Sequence, residues 1–215
     1  MDEIKIKNII IGKQFEESEN YKKFIETVKN KKIKVNVVEA GKRINIEKNL
    51  YFDVLWPSSD NVIWTNSINN NSLVCKMNYK KFSILFAGDI EKVAENAILA
   101  KYGSYINNKT ISENSSDINE KRKLNNYDIN IMQSTILKVA HHGSKTSSIT
   151  NFLNLVKPQY ALIGVGKNNK FGHPADITLQ NLENIGTKVF RTDLCGEITV
   201  KTSGIKIGIK SKMIQ

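Results

Sequence analysis

Apolar residues along this chain fall into short runs, most of them closed by glycine, proline or a polar cluster. Ile4 to Ile11, ended by Gly12, predicts a strand, and Phe15 to Lys29, with Phe24, Ile25 and Val28 at helical spacing, predicts a helix. Ile33 to Val38 and the run through Ile44 and Ile46 are short strand candidates split by the turn signal Ala40-Gly41. Tyr51 to Trp56 is a stronger strand that Pro57 terminates. Ser72 to Asn78 and Phe82 to Ala87 predict neighbouring strands joined through Tyr79-Lys80-Lys81. Ile90 to Tyr102 has helical composition, with Val93, Ala94, Ala97 and Ile98 on its buried face.

From 103 to 133 the chain turns polar and is expected to form a surface insertion, a flexible loop within one domain spanning 1–215. Thr135 to Ala140 then predicts a strand running into two histidines. Ser148 to Val156 follows as a helix, Tyr160 to Val165 as a strand, and Asp176 to Ile185 as a helix ended by Gly186. Val189 to Arg191, Glu197 to Thr202 and Ile205 to Ile209 finish the chain as short strands. Alternating strands and helices, with strand pairs at the end, indicate a layered α/β domain.

Composition narrows the function classes. A chain of 215 residues, 40% hydrophobic, suffices for one globular core. No apolar run approaches the roughly 18 to 20 residues of a membrane span, and the start lacks the basic and apolar regions of a signal peptide. The chain is therefore expected to be soluble, and cytoplasmic by default. Cys75 and Cys195 lie far apart, outside any Cys-x-x-Cys pair, which argues against a disulfide framework and a thiolate zinc site. A net charge of +11 favours acidic partners such as nucleic acid, although a Lys-, Asn- and Ile-rich genome produces the same bias.

The three histidines of the chain all sit in glycine-bordered contexts just after predicted strands, where a sheet holds reactive groups in place. Imidazole is a common nitrogen ligand for divalent metals. Asp89 follows Gly88 at the end of a strand, as a metal ligand or as the N-cap of the next helix. His141 and His142 precede Gly143-Ser144; on an extended chain they point in opposite directions, so one is the expected ligand and the other orients it or meets substrate. His173, between Gly172 and Pro174, is a site histidine or a loop brace. Lys167 and Lys170 are placed to bind phosphate oxygens or to sit solvated. Arg191 and Asp193 either clamp a phosphate or lock strand ends together.

From Tyr51 to about Thr202 these residues resemble the metallo-β-lactamase-like domain of ComEC-type DNA-uptake (competence) proteins. The resemblance rests on Asp53-Val54-Leu55-Trp56-Pro57, Asn70-Asn71-Ser72-Leu73-Val74, Leu85-Phe86-Ala87-Gly88-Asp89, Leu137 to Ser144, Gly164 to Asn169, Phe171-Gly172-His173-Pro174 and Arg191-Thr192-Asp193, in the family's order. It implies an αββα sandwich and a divalent-metal site, with Zn2+ or Mn2+ as cofactor. Asp89, His141, His142 and His173 would supply metal ligands and catalytic groups. Ser144, Lys167, Asn168 and Arg191 would contact substrate.

The family's His-x-His-x-Asp-His motif has no counterpart here, so the resemblance implies a partial fold in which the N-terminal half is absent. The implied function is metal-dependent phosphodiester hydrolysis of single-stranded DNA, bound without sequence preference, in competence DNA uptake. A membrane channel on a separate or parent chain is an implied partner, which would place the domain at the cell surface. The alternatives are a catalytically silent remnant that binds DNA or protein, and a hydrolase of another ester.

Overall fold

A computed structural model describes residues 4–13, 18–103 and 131–212. The first half runs β1 (Asn8–Gly12), α1 (Glu19–Asn30), β2 (Lys34–Val38), β3 (Arg43–Glu47), β4 (Leu50–Trp56), the short turn α2 (Ser67–Asn70), β5 (Val74–Tyr79), β6 (Phe82–Phe86) and α3 (Lys92–Tyr102). The second half runs β7 (Ile136–Lys138), a 3-10 turn at Ala140–Gly143, α4 (Thr150–Val156), β8 (Tyr160–Ile163), α5 (Asp176–Asn184), β9 (Lys188–Arg191), the turn α6 (Thr192–Cys195), β10 (Glu197–Thr202) and β11 (Ile207–Lys212). Of the insertion expected at 103–133, residues 104–130 lie outside the described residues, while Gly103 caps α3 and Met132 is buried in the core.

Strands β3 to β9 form one seven-stranded sheet in sequence order. β3 through β6 pair antiparallel, whereas β6, β7, β8 and β9 pair parallel. Parallel strands need a crossover between them, and α4 and α5 supply it on either side of β8. Helices α3, α4 and α5 cover one face. There Ile98, Phe152, Leu153 and Leu182 pack on Leu55, Val74, Leu85, Leu137 and Ile163, all essentially buried. Against the other face, the β10–β11 hairpin lays Val200, Ile207 and Ile209 on Phe82, Ile84 and Ile136. Phe52, Leu162 and Phe190 on that face are only half-buried.

The mixed α/β class predicted from the alternation of elements is present. The second large sheet of an αββα sandwich is not among the described elements, where the remaining strands make only the pairs β1–β2 and β10–β11. Element ends differ from the sequence expectation for physical reasons. Strand β1 begins at Asn8 rather than Ile4, because β2 offers partners only for Asn8 to Gly12. Ser18 caps α1 by accepting from Tyr21 N–H at 3.2 Å.

Helix α3 starts at Lys92, with Glu91 at the N-cap position, so Asp89 does not cap it. Its buried face is also rotated from the expected one. Val93 is 49% exposed and Glu95 is fully buried beside Ala94, Ile98 and Tyr102. The Glu95 carboxylate accepts from the backbone N–H groups of Ser148 and Ile149, the latter at 2.9 Å. Ser148 has φ +61°, outside the helical region, and α4 accordingly begins at Thr150 rather than Ser148.

Burial pushes the Glu95 carboxyl from 4.5 up to about 7, against the opposing pull of the two N–H donors. Between those values the unfolded chain has lost this proton and the folded chain keeps it. Stability therefore falls as pH rises through the window and levels off above it. Glu95→Gln is expected to remove this component, on the order of 3 kcal/mol across the window. Urea unfolding of both proteins at several pH values checks it; parallel pH profiles would contradict the assignment.

Candidate functional site

Three loops gather at the C-terminal ends of β6, β7 and β8, which lie on one sheet edge because these strands run parallel. The first turns at Gly88, whose φ is +56° and whose missing Cβ would stand 2.7 Å from Ser72 Cβ, so only glycine fits. Ile90, fully buried, then anchors the chain and leaves Asp89 and Glu91 half-buried beside it.

In the second loop His141 and His142 have φ values of +46° and +54°, two successive left-handed non-glycine residues. The expectation of an extended pair with opposed side chains is thus overturned. Such backbone conformations cost free energy and persist where surrounding contacts enforce them. Here His141 N–H donates to Gly88 O at 3.0 Å and Ser144 N–H to His141 O at 2.9 Å.

The third loop docks on the second. A Cβ at Gly143 would stand 2.6 Å from Pro174 Cβ, and Ala175 N–H donates to Gly143 O at 2.9 Å. Asn169 organises the loop itself. Its Oδ1 accepts from His173 N–H at 2.9 Å and its Nδ2 donates to His173 O at 2.6 Å. With Gly143 filling the space beneath Pro174, the His141 and His173 rings come to 5.8 Å in an edge-on arrangement.

The Nδ1 atoms of His141 and His173 are buried and have no hydrogen-bond partner. Glu91 Oε1 lies 3.6 Å from His141 Nδ1, and Glu91 is itself fixed by Asn66 Nδ2 at 3.0 Å and Thr146 Oγ1 at 2.9 Å. Burial, then the neighbouring His141 and His142, push the His173 pKa down, which keeps its ring neutral with a lone pair available. His142 is exposed and donates from Nδ1 to Gly164 O at 2.6 Å, which leaves Nε2 as its other ring nitrogen. Phe171 is 81% exposed and stacks on His173 with ring centres 5.9 Å apart.

Buried imidazole nitrogens without a hydrogen bond suit a divalent cation as ligands. Among the described residues, however, no three His, Cys, Asp or Glu side chains converge as a metal-holding group, whereas catalytic zinc takes about three protein ligands. These residues fit a share of a metal site, not a closed one. Asp89 acts on Lys138, whose pKa burial pushes down and Asp89 raises.

The remaining candidates divide. Lys167 and Asn168 are exposed on the third loop. Ser144 is buried, its hydroxyl 3.0 Å from Thr146 Oγ1, so it braces the second loop instead of facing solvent. Arg191 fills the structural option: Nε and Nη2 donate to the Asp193 carboxylate at 3.1 and 2.6 Å and hold its pKa down. Glu91 and Asn169 escaped the sequence reading. Glu91 follows Asp89 by two residues at the same strand end, which was the available signal.

No protein-family profile matches the chain. It is 29% identical over 194 residues to ComE operon protein 3 of Bacillus subtilis, covering 90% of this chain and 21% of that protein. It is 30% identical over 130 residues to Competence protein ComA of Neisseria gonorrhoeae, covering 60% and 15%. Recombination protein 2 of Haemophilus influenzae is 28% identical over 151 residues, covering 70% and 15%. The chain thus spans about a fifth or less of the length of these relatives, and 60–90% of its own sequence is similar to part of each of them.

Proposed function

We propose that this chain is a hydrolase module of the metallo-β-lactamase type that cleaves phosphodiesters of single-stranded DNA during competence DNA uptake. The observation that carries this reading is the pair of buried Nδ1 atoms on His141 and His173 that make no hydrogen bond, at a sheet edge where His141 is held in a left-handed conformation. A divalent cation supplies the acidified water or the oxygen-polarising charge for such hydrolysis. His141 and His173 would hold it, with Asp89 and the remaining donors completing the site from this chain or from a partner or parent chain. The chain's own contribution is then to position. Gly164 O orients His142 toward the substrate side, Phe171 offers a face for a base, and exposed Lys167 and Lys170 attract the phosphate backbone.

A second reading, a catalytically silent DNA- or protein-binding module, is favoured by the lack of any three-donor metal group among the described residues. Titration with Zn2+ and Mn2+ separates the two. The hydrolase reading expects the His141 and His173 ring signals to shift with Zn2+ and broaden with Mn2+. It also expects cleavage of single-stranded DNA to fall at least about a hundredfold in His141→Ala or Asp89→Ala, the scale of losing a principal catalytic group. Unchanged ring signals at millimolar metal, or DNA binding without cleavage, would leave the silent module standing.

Phe171→Ala is expected to weaken single-stranded DNA binding about tenfold without changing the melting temperature, since base stacking on an aromatic contributes about 1–3 kcal/mol. Fluorescence anisotropy with a labelled oligonucleotide reads the change; equal affinity would remove Phe171 from the binding surface.

A further inference from the structure

The opposite end of the sheet carries a separate cavity of about 380 Å³. Its wall includes the starts of β6, β7 and β8, at Phe82, Thr135 and Gln159, whereas the histidine loops follow the ends of β7 and β8. Five residues of strand put roughly 15 Å between the two ends. Four lysines line it: Lys76 from β5, Lys80 and Lys81 from the β5–β6 turn, and Lys157 at the C-terminus of α4. Lys76 is buried and the other three are exposed.

No carboxylate is among the lining residues. Side-chain amides of Gln133 and Gln159 stand in the same wall as the lysines. A hollow of this volume falls in the lower part of the roughly 300–1,000 Å³ range of small-molecule sites. It combines cations for a phosphate with amides that both donate and accept, the pattern a base edge requires.

We infer that this cavity binds a nucleoside phosphate, independently of the histidine loops. Clustered lysines fix the phosphate, and the amides contact the base. A volume of about 380 Å³ suits one nucleotide better than a tracked strand. This goes beyond the hydrolase proposal and does not rest on it.

The test is calorimetry on the full chain in EDTA, which removes divalent metal, with deoxyadenosine monophosphate, inorganic phosphate and an unphosphorylated 12-nucleotide oligomer as separate titrants. The nucleotide is expected to bind at least about tenfold tighter than inorganic phosphate, and the Lys81→Glu, Lys157→Glu double variant to lose at least about tenfold of that affinity. The melting temperature should be unchanged, because both side chains are exposed. His173→Ala is expected to leave nucleotide binding as it is. Equal affinity for inorganic phosphate, binding seen only with the oligomer, indifference to the lysine changes, or loss in His173→Ala would each overturn the assignment.

Discussion

The site depends on the backbone ties between its three loops. His141 N–H reaches Gly88 O, and Ala175 N–H reaches Gly143 O, so the loops after β6, β7 and β8 are fastened to one another as well as to the sheet. The parallel pairing of these strands delivers all three chain ends to one edge. Small residues then let the loops close up. A side chain at Gly88 would collide with Ser72, and one at Gly143 with Pro174, so either replacement forces apart the segments that carry the acids and the histidines.

Behind this edge a second set of polar ties fixes the helices. Glu95 holds the N–H groups of Ser148 and Ile149, Ser147 Oγ donates to Ile90 O at 2.7 Å, and Thr178 Oγ1 donates to Ser144 O at 2.9 Å. Each bond satisfies a buried backbone group near a site loop, where an unpaired one costs about 1–3 kcal/mol. Helix α3, the β7 turn and α5 are therefore linked around the same loops that present His141 and His173.

Charge is distributed unevenly over this frame. The histidine edge brings together Asp89, Glu91 and three imidazoles, while the far end of β5 and β6 concentrates lysine side chains around a cavity. The net charge of +11 is a property of the whole chain and says nothing of that segregation. What produces it is strand direction, which sends the β5–β6 turn to one end of the sheet and the Gly88 turn to the other.

The sequence by itself determined the alternation of strands and helices and the placing of Asp89 and the histidines at strand ends, because hydrophobic period and glycine punctuation are local properties. It also placed His173 in a loop between a strand and a helix. Tertiary structure decided what those residues face. The left-handed pair His141 and His142, the burial of Glu95 in place of Val93, and the capture of Arg191 by Asp193 each depend on neighbours brought in by packing. Glu91 meets His141 only because the β6 and β7 loops are adjacent in space, although 50 residues separate them in the sequence. Local pattern fixes where a side chain enters the fold; the partner it meets there is set by long-range pairing, which no short window of sequence contains.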